Sequence, residues 1–266
     1  MKNDAATTAI ERLHGVLSSL GLVAVAASGG VDSMTLAALA HRRAPDACQV
    51  FHAASPAVPP EATARVHRHA AREGWALTVI DAGEFADPDY RRNPANRCFY
   101  CKTNLYDTIA RHTDRAVLSG ANLDDLGDWR PGLKAARDHG VRHPYIEAAI
   151  DKATVRAIAD HLGLDDLAAL PASPCLSSRV ETGIRIEADM LALVHAAEKF
   201  VARRLRPHTV RCRVRADGVV IEVDSTTLDR LDLDDKAALG EAVAAMFARD
   251  VRFAPYRMGS AFLRPS

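Results

Sequence analysis

Hydrophobic positions change period along this chain. Residues 22–27 (LVAVAA) form a short continuous apolar run, the pattern of a strand buried on both faces, and it stops at a serine and two glycines. Residues 31–42 contain no Pro or Gly and carry apolar side chains almost all round, which predicts a helix packed on a sheet. The alternation continues on either side. Helices are predicted over 10–20, 61–73 and 102–112, and strands over 48–53, 76–80 and 116–118. An irregular stretch rich in Asp, Pro, Asn and Arg covers 87–97, and a polar loop covers 119–131. A helix over 151–162 precedes the Pro-rich segment 171–174. Repeated strand–helix units predict an α/β fold on a parallel doubly wound sheet, whose ligands gather at the carboxyl ends of the strands.

From about residue 187 the pattern differs. Met190, Leu191, Val194, Ala197, Val201 and Leu205 recur at helical spacing, and apolar runs at 209–214 and 219–223 flank the turn signal Ala216-Asp217-Gly218. A helix over 236–248 and a short closing strand complete a smaller α+β domain. The expected division is therefore 1–186 and 187–266. In the first strand of the tail, Val210, Cys212 and Val214 alternate with Arg211, Arg213 and Arg215, so one face is apolar and the other carries three guanidiniums. Such donors on a rigid strand suit phosphate or carboxylate groups. They equally suit a solvated, edge-protecting charged face.

The junction of the first strand and helix carries the clearest chemistry. Residues 28–33 read SGGVDS. Gly29 and Gly30 let backbone N–H groups approach phosphate oxygens without Cβ interference, the helix dipole favours negative charge, and the Ser28 and Ser33 hydroxyls add donors. Asp32 repels phosphate, so its place here is explained as a ligand, direct or through water, of the Mg²⁺ that accompanies ATP. The string is not G-x-x-x-x-G-K-[ST] and lacks that motif's lysine. The plain alternative is a Gly-Gly turn after a strand.

Composition narrows the class. The 266 residues allow one or two domains with a substantial core, and 48% apolar with 26% charged is ordinary globular usage. Lys plus Arg and Asp plus Glu both number 34, so no bulk basic excess holds a polyanion, and a nucleic-acid partner would need a local patch. No apolar run approaches the roughly 18 residues of a membrane span and the first residues lack signal-peptide order, so the cytoplasm is the expected location. Five cysteines, an odd number, argue against a disulfide framework and for metal or catalytic use. Cys98 and Cys101 form a C-x-x-C pair near a predicted helix start, and Cys175 lies in another loop context. The pair fits a redox dithiol, half a zinc site or part of a cluster site, and the three cysteines also fit a reading in which they never meet. The helix dipole and the neighbouring Arg97, Lys102 and Arg179 favour thiolates in each case. Cys48 and Cys212, each in a predicted strand, read as small core residues.

The SGGVDS string resembles the signature of the PP-loop ATP pyrophosphatases, adenine nucleotide alpha hydrolase-like enzymes that cleave ATP between its α and β phosphates. Taken in order, SGGVDS, NRCFYCK at 96–102, NLDDLGDWRPG at 122–132, PCLSSR at 174–179, Arg213-Val214-Arg215 and PYRMGSA at 255–261 resemble the LarE-type ATP-dependent sacrificial sulfur transferases. That resemblance spans about 22–262. It implies an enzyme that adenylates the carboxylates of pyridinium-3,5-dicarboxylate mononucleotide and converts them to thiocarboxylates, on the way to the nickel-pincer nucleotide of lactate racemase. Carboxylating and nickel-inserting enzymes of the same pathway are its implied partners, and a homo-oligomer its implied state.

The implied ATP site comprises Ser28, Gly29, Gly30, Asp32, Ser33 and Gly120, with Asp32 and Cys175 as catalytic residues. Arg179, Glu198, Arg213 and Arg215 are the implied substrate residues. One branch of the family has only the cysteine matching Cys175 and surrenders its sulfur. Another has three, which hold a 4Fe-4S cluster that carries extra sulfide. With Cys98, Cys101 and Cys175 all present, the resemblance implies the cluster branch, with ATP, Mg²⁺ and a 4Fe-4S cluster as cofactors. His52, Asn122, Asp124, Asp125, Asp128 and Arg130 stand either for nucleotide-site residues or for caps of solvated loops. Three rivals remain: a PP-loop tRNA thiolase, which needs a wide basic surface; an amidating synthetase, which needs no cysteine; and a nucleotide-binding module with a zinc knuckle.

Overall fold

The computed structural model describes residues 2–127 and 129–262, with the side chains of residues 2–4 outside the description. Two compact units result. The first runs to Glu84 and resumes over Cys98–Ser173; the second comprises Phe85–Arg97 and the chain from Pro174 onward.

In the first unit four strands, β1 (Val23–Ala26), β2 (Cys48–Ala53), β3 (Ala76–Ile80) and β4 (Ala116–Leu118), pair in parallel in the order β3-β2-β1-β4. Val23 lies opposite both Cys48 and Ala116, which sets the register on the two sides of β1. Alternate side chains feed two cores. Val23, Val25 and Val50 join Leu13, Leu36 and Ile158 on one face, while Ala24 and Phe51 join Leu105, Ile109 and Ala136 on the other. Burial on both faces is why β1 reads as an uninterrupted apolar run. The helices Lys2–Leu20, Val31–Arg43 and Lys152–His161 cover the first face. The expected doubly wound α/β sheet is thus the architecture of this unit.

The expected elements recur with longer ends. The third helix spans Pro60–Glu73 and stops at Gly74, whose φ of 73° is the left-handed C-cap. The helix expected over 102–112 begins at Arg97, taking the C-x-x-C pair into its first turns. The polar loop expected over 119–131 contains a short 3-10 helix, Leu123–Gly127, and ends where the unexpected helix Pro131–Asp138 opens on its proline.

The second unit has a three-stranded sheet, β5 (Val210–Arg215), β6 (Gly218–Val223) and β7 (Val251–Pro255), ordered β5-β6-β7. The β5–β6 pair is antiparallel and the β6–β7 pair parallel. The helix Ala188–Leu205 packs on β5 and Leu233–Phe247 on β7. Every residue of central β6 is buried, as two flanking strands and a helical cover require.

Hydrogen bonds cross the division expected at 186/187. Asn93 Nδ2 donates to the carbonyls of Glu181 (2.8 Å) and Ile184 (2.9 Å), the Gly183 amide donates to Asn93 O (2.9 Å), and the Tyr90 hydroxyl meets Ser177 Oγ at 2.6 Å. The Glu181 amide then donates to Val214 O at 2.9 Å. Residues 174–186 and 85–97 are therefore stitched to each other, and the former to β5. No helix among the described residues is long and apolar enough to cross a membrane.

Candidate active site

The 28–33 loop lies at the carboxyl end of β1, between that strand and the Val31–Arg43 helix. Of its two glycines, Gly29 is required by space and backbone conformation. Gly29 has φ +82°, and a Cβ there would lie 2.7 Å from the Ala62 carbonyl oxygen. Gly120, after β4, packs so tightly on the helix start that a Cβ would lie 2.7 Å from the Ser33 amide nitrogen. Gly30 caps the helix and gives it no side-chain hydrogen bond. The first amides of this 13-residue helix thus keep the dipole and donors that suit an anion. Ser33 is buried, and its Oγ accepts from the Ser28 amide (3.0 Å) and contacts Ser28 Oγ (3.1 Å), so this hydroxyl ties the loop together.

Neighbouring segments fix the loop carbonyls. Buried His52 holds the Ala27 carbonyl at 2.8 Å through Nδ1; a carbonyl only accepts, so Nδ1 carries the proton and Nε2 accepts from the Thr63 hydroxyl at 2.9 Å. Burial holds the His52 pKa below its ordinary 6.5, which keeps that neutral form. Arg65 Nη1 donates to the Gly29 carbonyl at 2.6 Å.

Asp32 is the centre of a polar constellation. Its Oδ1 accepts from Asn122 Nδ2 at 3.2 Å, its Oδ2 pairs with the Lys152 ammonium, and its carbonyl accepts from the Tyr145 hydroxyl at 3.1 Å. Burial, and then the charge of Asp32, push the Tyr145 pKa well above 10, so the phenol stays a donor. Asn122 Oδ1 accepts from the Asp124 amide (3.1 Å), Asp125 Oδ2 accepts from the Asn122 amide (3.0 Å), and Asp124 Oδ2 accepts from the Lys152 amide (3.1 Å). Arg130 pairs with Asp125 at 3.0 Å. Asn122 therefore reaches the site itself, whereas Asp124, Asp125 and Arg130 brace its loop and His52 braces the strand end. Asp128 lies outside the described residues.

Sequence reasoning missed Lys152, Tyr145 and Arg65. Only Lys152 left a signal: it directly follows the capping Asp151, in a first turn where the helix dipole disfavours a cation.

The expected substrate residues all lie in the second unit, each engaged in an ion pair. Buried Arg179 grips Glu198 with Nε at 2.9 Å and Nη2 at 3.2 Å, and its Nη1 donates to the carbonyls of Pro174 (2.6 Å) and Cys175 (3.0 Å). Glu198 also accepts from the Cys212 amide at 3.0 Å. Arg213 donates to Glu222 at 3.0 Å and to the Ser178 carbonyl at 3.0 Å, with both charged side chains only 4% exposed. Arg215 faces Glu181 at 3.3 Å and Glu222 at 3.6 Å. The solvated charged face that β5 suggested is thus corrected at Arg213, which is buried in an ion pair. A cavity of about 680 Å³ in this unit is lined by Glu181, Arg215, Glu222, Arg252, Arg257 and Ser260.

The cysteines fall into two kinds. Cys48 and Cys212 are buried; burial pushes the Cys48 thiol up to about 12 and raises that of Cys212 as well. Cys98 and Cys101 are half-buried one helical turn apart in the first unit, and Cys175 is exposed in the second. None of the five forms a disulfide. Among the described residues no three His, Cys, Asp or Glu side chains form a ready-made metal site.

The Asp32 carboxylate, beside an open helix start, offers the hard oxygen that Mg²⁺ takes. Cys98, Cys101 and Cys175 are the three thiols outside the core, the soft donors that an iron–sulfur cluster takes.

No family model matches the chain. It is 36% identical over 238 residues to an uncharacterized protein of Synechocystis sp., covering 88% of this chain and 87% of that one. A second uncharacterized protein, from Methanocaldococcus jannaschii, is 24% identical over 206 residues, 76% of this chain and 77% of its own. The pyridinium-3,5-bisthiocarboxylic acid mononucleotide synthase of Lactiplantibacillus plantarum is 32% identical over 230 residues, 84% of this chain and 83% of the synthase. A relative 32% identical over that share of both chains shows the family, and the chain belongs to the LarE-type family of pyridinium-3,5-bisthiocarboxylic acid mononucleotide synthases.

Proposed function

We propose that this chain is an ATP-dependent sulfur transferase that converts the carboxylates of pyridinium-3,5-dicarboxylate mononucleotide to thiocarboxylates, releasing AMP and pyrophosphate. The observation that carries the reading is the 32% identity, over 84% of the chain, to a synthase named for the bisthiocarboxylic product. The open helix start at Gly30, beside the Asp32 carboxylate, supports it from the side of the nucleotide.

The chemistry follows from leaving groups. A carboxylate resists a sulfur nucleophile because oxide would have to depart. In the first step a carboxylate oxygen of the substrate attacks the α-phosphorus of ATP, the bond to the bridging oxygen breaks, and pyrophosphate leaves. Ser28, Gly29, Gly30, Asp32, Ser33 and Gly120 form the nucleotide site, in which the helix-start amides neutralise the departing charge. Mg²⁺ held by Asp32 supplies further neutralisation when bound. In the second step sulfur adds to the acyl carbon and the carbon–oxygen bond to AMP breaks. A 4Fe-4S cluster held by Cys98, Cys101 and Cys175 supplies a carrier for that sulfur when bound. Each round converts one carboxylate, so the bisthio product takes two.

The second unit receives the substrate. Arg215 lines the 680 Å³ cavity and presents a guanidinium suited to carboxylate or phosphate, while Arg213 pairs with Glu222, which also lines it, and Arg179 pairs with Glu198. A homo-oligomer working in the cytoplasm, between a carboxylating and a nickel-inserting enzyme, completes the reading.

The test is mass spectrometry of an anaerobic incubation of cluster-reconstituted protein with Mg-ATP, sulfide and pyridinium-3,5-dicarboxylate mononucleotide. Oxygen-to-sulfur exchange over many turnovers with intact Cys175 is the expected result. Exchange limited to one turnover, with sulfur lost from Cys175, would replace the cluster by the cysteine as donor. No exchange and no AMP would overturn the substrate assignment and make tRNA the next substrate to try.

A further inference from the structure

Within the first unit a chain of contacts runs from the Asp32 carboxylate to the turn that carries Cys98 and Cys101. Asn122, only 3% exposed, donates from Nδ2 to Asp32 Oδ1 at 3.2 Å, and its Oδ1 accepts from the Asp124 amide. The loop after it is closed on itself, since Asp125 accepts from the Asn122 amide at 3.0 Å and pairs with Arg130 at 3.0 Å. Pro131 then opens the Pro131–Asp138 helix, whose second residue lies against the cysteine helix Arg97–His112. A Cβ on Gly132 would meet Lys102 Cγ at 3.2 Å and the Cys98 carbonyl oxygen at 3.7 Å. Lys134 Nζ stands 4.8 Å from the centre of the Phe99 ring, and Ala136 shares a buried cluster with Leu105 and Ile109 of the cysteine helix.

We propose that residues 122–134 are the positioning element of the sulfur-bearing turn: they hold Cys98 and Cys101 in place while Asp32 is free, and nucleotide binding at Asp32 releases that hold. The inference rests on the reading of the 28–33 loop as an ATP site. An Asp32 whose oxygens are taken by the divalent cation of ATP is a poor acceptor for Asn122 Nδ2. A buried donor without an acceptor is costly, so Asn122 has to shift. Because Asp125 and Arg130 close the loop, the shift is passed on to Gly132 and not absorbed between them. A ligand moves an equilibrium only through a contact that differs between its two states, and here that contact is the Asn122–Asp32 hydrogen bond. Asn122 and Gly132 act through the cysteine turn and are positioning residues. The consequence for the reaction is order, with the sulfur-bearing turn loosened only once the nucleotide is in place.

The experiment is the rate of iodoacetamide alkylation of Cys98 and Cys101, read by peptide mass spectrometry, in full-length wild type, Asn122→Ala and Gly132→Ala. Each is measured with and without Mg²⁺-ATP at a concentration that calorimetry shows to be saturating. Mg²⁺-ATP is expected to speed the wild-type reaction by about fivefold or more. Both variants are expected to react at the fast rate without nucleotide and to respond to it by less than about twofold. Linkage requires the reciprocal effect, so wild type alkylated at these two cysteines should bind ATP more tightly by the same factor. A nucleotide that merely shields the cysteines would slow alkylation in all three chains, and that outcome, or an unchanged rate in ATP-saturated wild type, overturns the proposal while leaving the ATP site standing. Should Asn122→Ala fail to fold, Gly132→Ala decides, and a nucleotide response of wild-type size in it counts against the inference. A wild-type chain that binds no ATP overturns the nucleotide reading together with it.

Discussion

The loop at Asp32 and the arginine strand at Arg213 treat charge in opposite ways. The loop contains no basic residue, yet its helix start has no side-chain cap at Gly30, and its one carboxylate is reached by solvent. The strand carries three arginines, yet Arg213 is buried on Glu222, and Arg179 behind it is buried on Glu198. The region with more formal charge is the one with less of it available. A guanidinium taken out of water has to be paired, so each buried arginine has recruited a glutamate. Backbone amides at a helix start carry only partial charge, so leaving them without a side-chain cap costs little. The first unit therefore leaves backbone partial charge at a helix start without a side-chain cap, and the second matches its buried guanidiniums with carboxylates.

The sharpest way to break this comparison is to remove a recruited partner. Glu222→Ala leaves Arg213 buried without a counter-charge and should cost about 3–5 kcal/mol in denaturant unfolding, while replacing both residues by apolar ones of similar volume should restore most of it. A loss below about 1 kcal/mol would mean that water reaches the pair. Next in size is Gly120→Ala, whose methyl would press on the backbone of Asp32 and Ser33. The expected cost is about 1–3 kcal/mol, with loss of ATP binding in the same variant, because the neighbouring atoms are backbone and cannot rotate away. Full ATP affinity in that variant would show that the helix start has slack.

Two smaller effects depend on pH. Burial depresses the pKa of His52 and of His143 below the ordinary 6.5. Their contribution to stability is complete above that value and is lost as pH falls through the depressed folded-state values, since the unfolded chain takes up the protons first. Melting temperatures followed from about pH 7.5 to about pH 5 should fall, and the fall should shrink in His52→Gln. The smallest expected effect on stability is alkylation of the native chain by iodoacetamide. Cys98, Cys101 and Cys175 should react and Cys48 and Cys212 should not, because burial keeps the latter two thiols protonated. Cys212 reacting as fast as Cys175 would place it outside the core.

The four parallel strands, the helices around them and the hairpin turn at 216–218 were legible because each is a local pattern of apolar spacing interrupted by turn residues. The SGGVDS loop was legible for the same reason, since strand, glycines and helix follow one another within a few residues. The sorting of cysteines was legible too: Cys48 and Cys212 occupy strand positions and are buried. The membership of 85–97 in the second unit was not, because Asn93 makes its contacts with carbonyls 88 and 91 residues later.

What the sequence by itself determined, then, is most of the order of elements, the doubly wound sheet and the place of the SGGVDS loop between strand and helix, all consequences of periodicity and of glycine geometry. Only the tertiary structure decided which charges are free and which are matched. It brought Lys152 and Tyr145 to Asp32 and gave Arg213 its Glu222. Ion pairs and hydrogen bonds between distant segments have no period, and a charged residue looks the same in a sequence whether it meets water, a partner or a ligand.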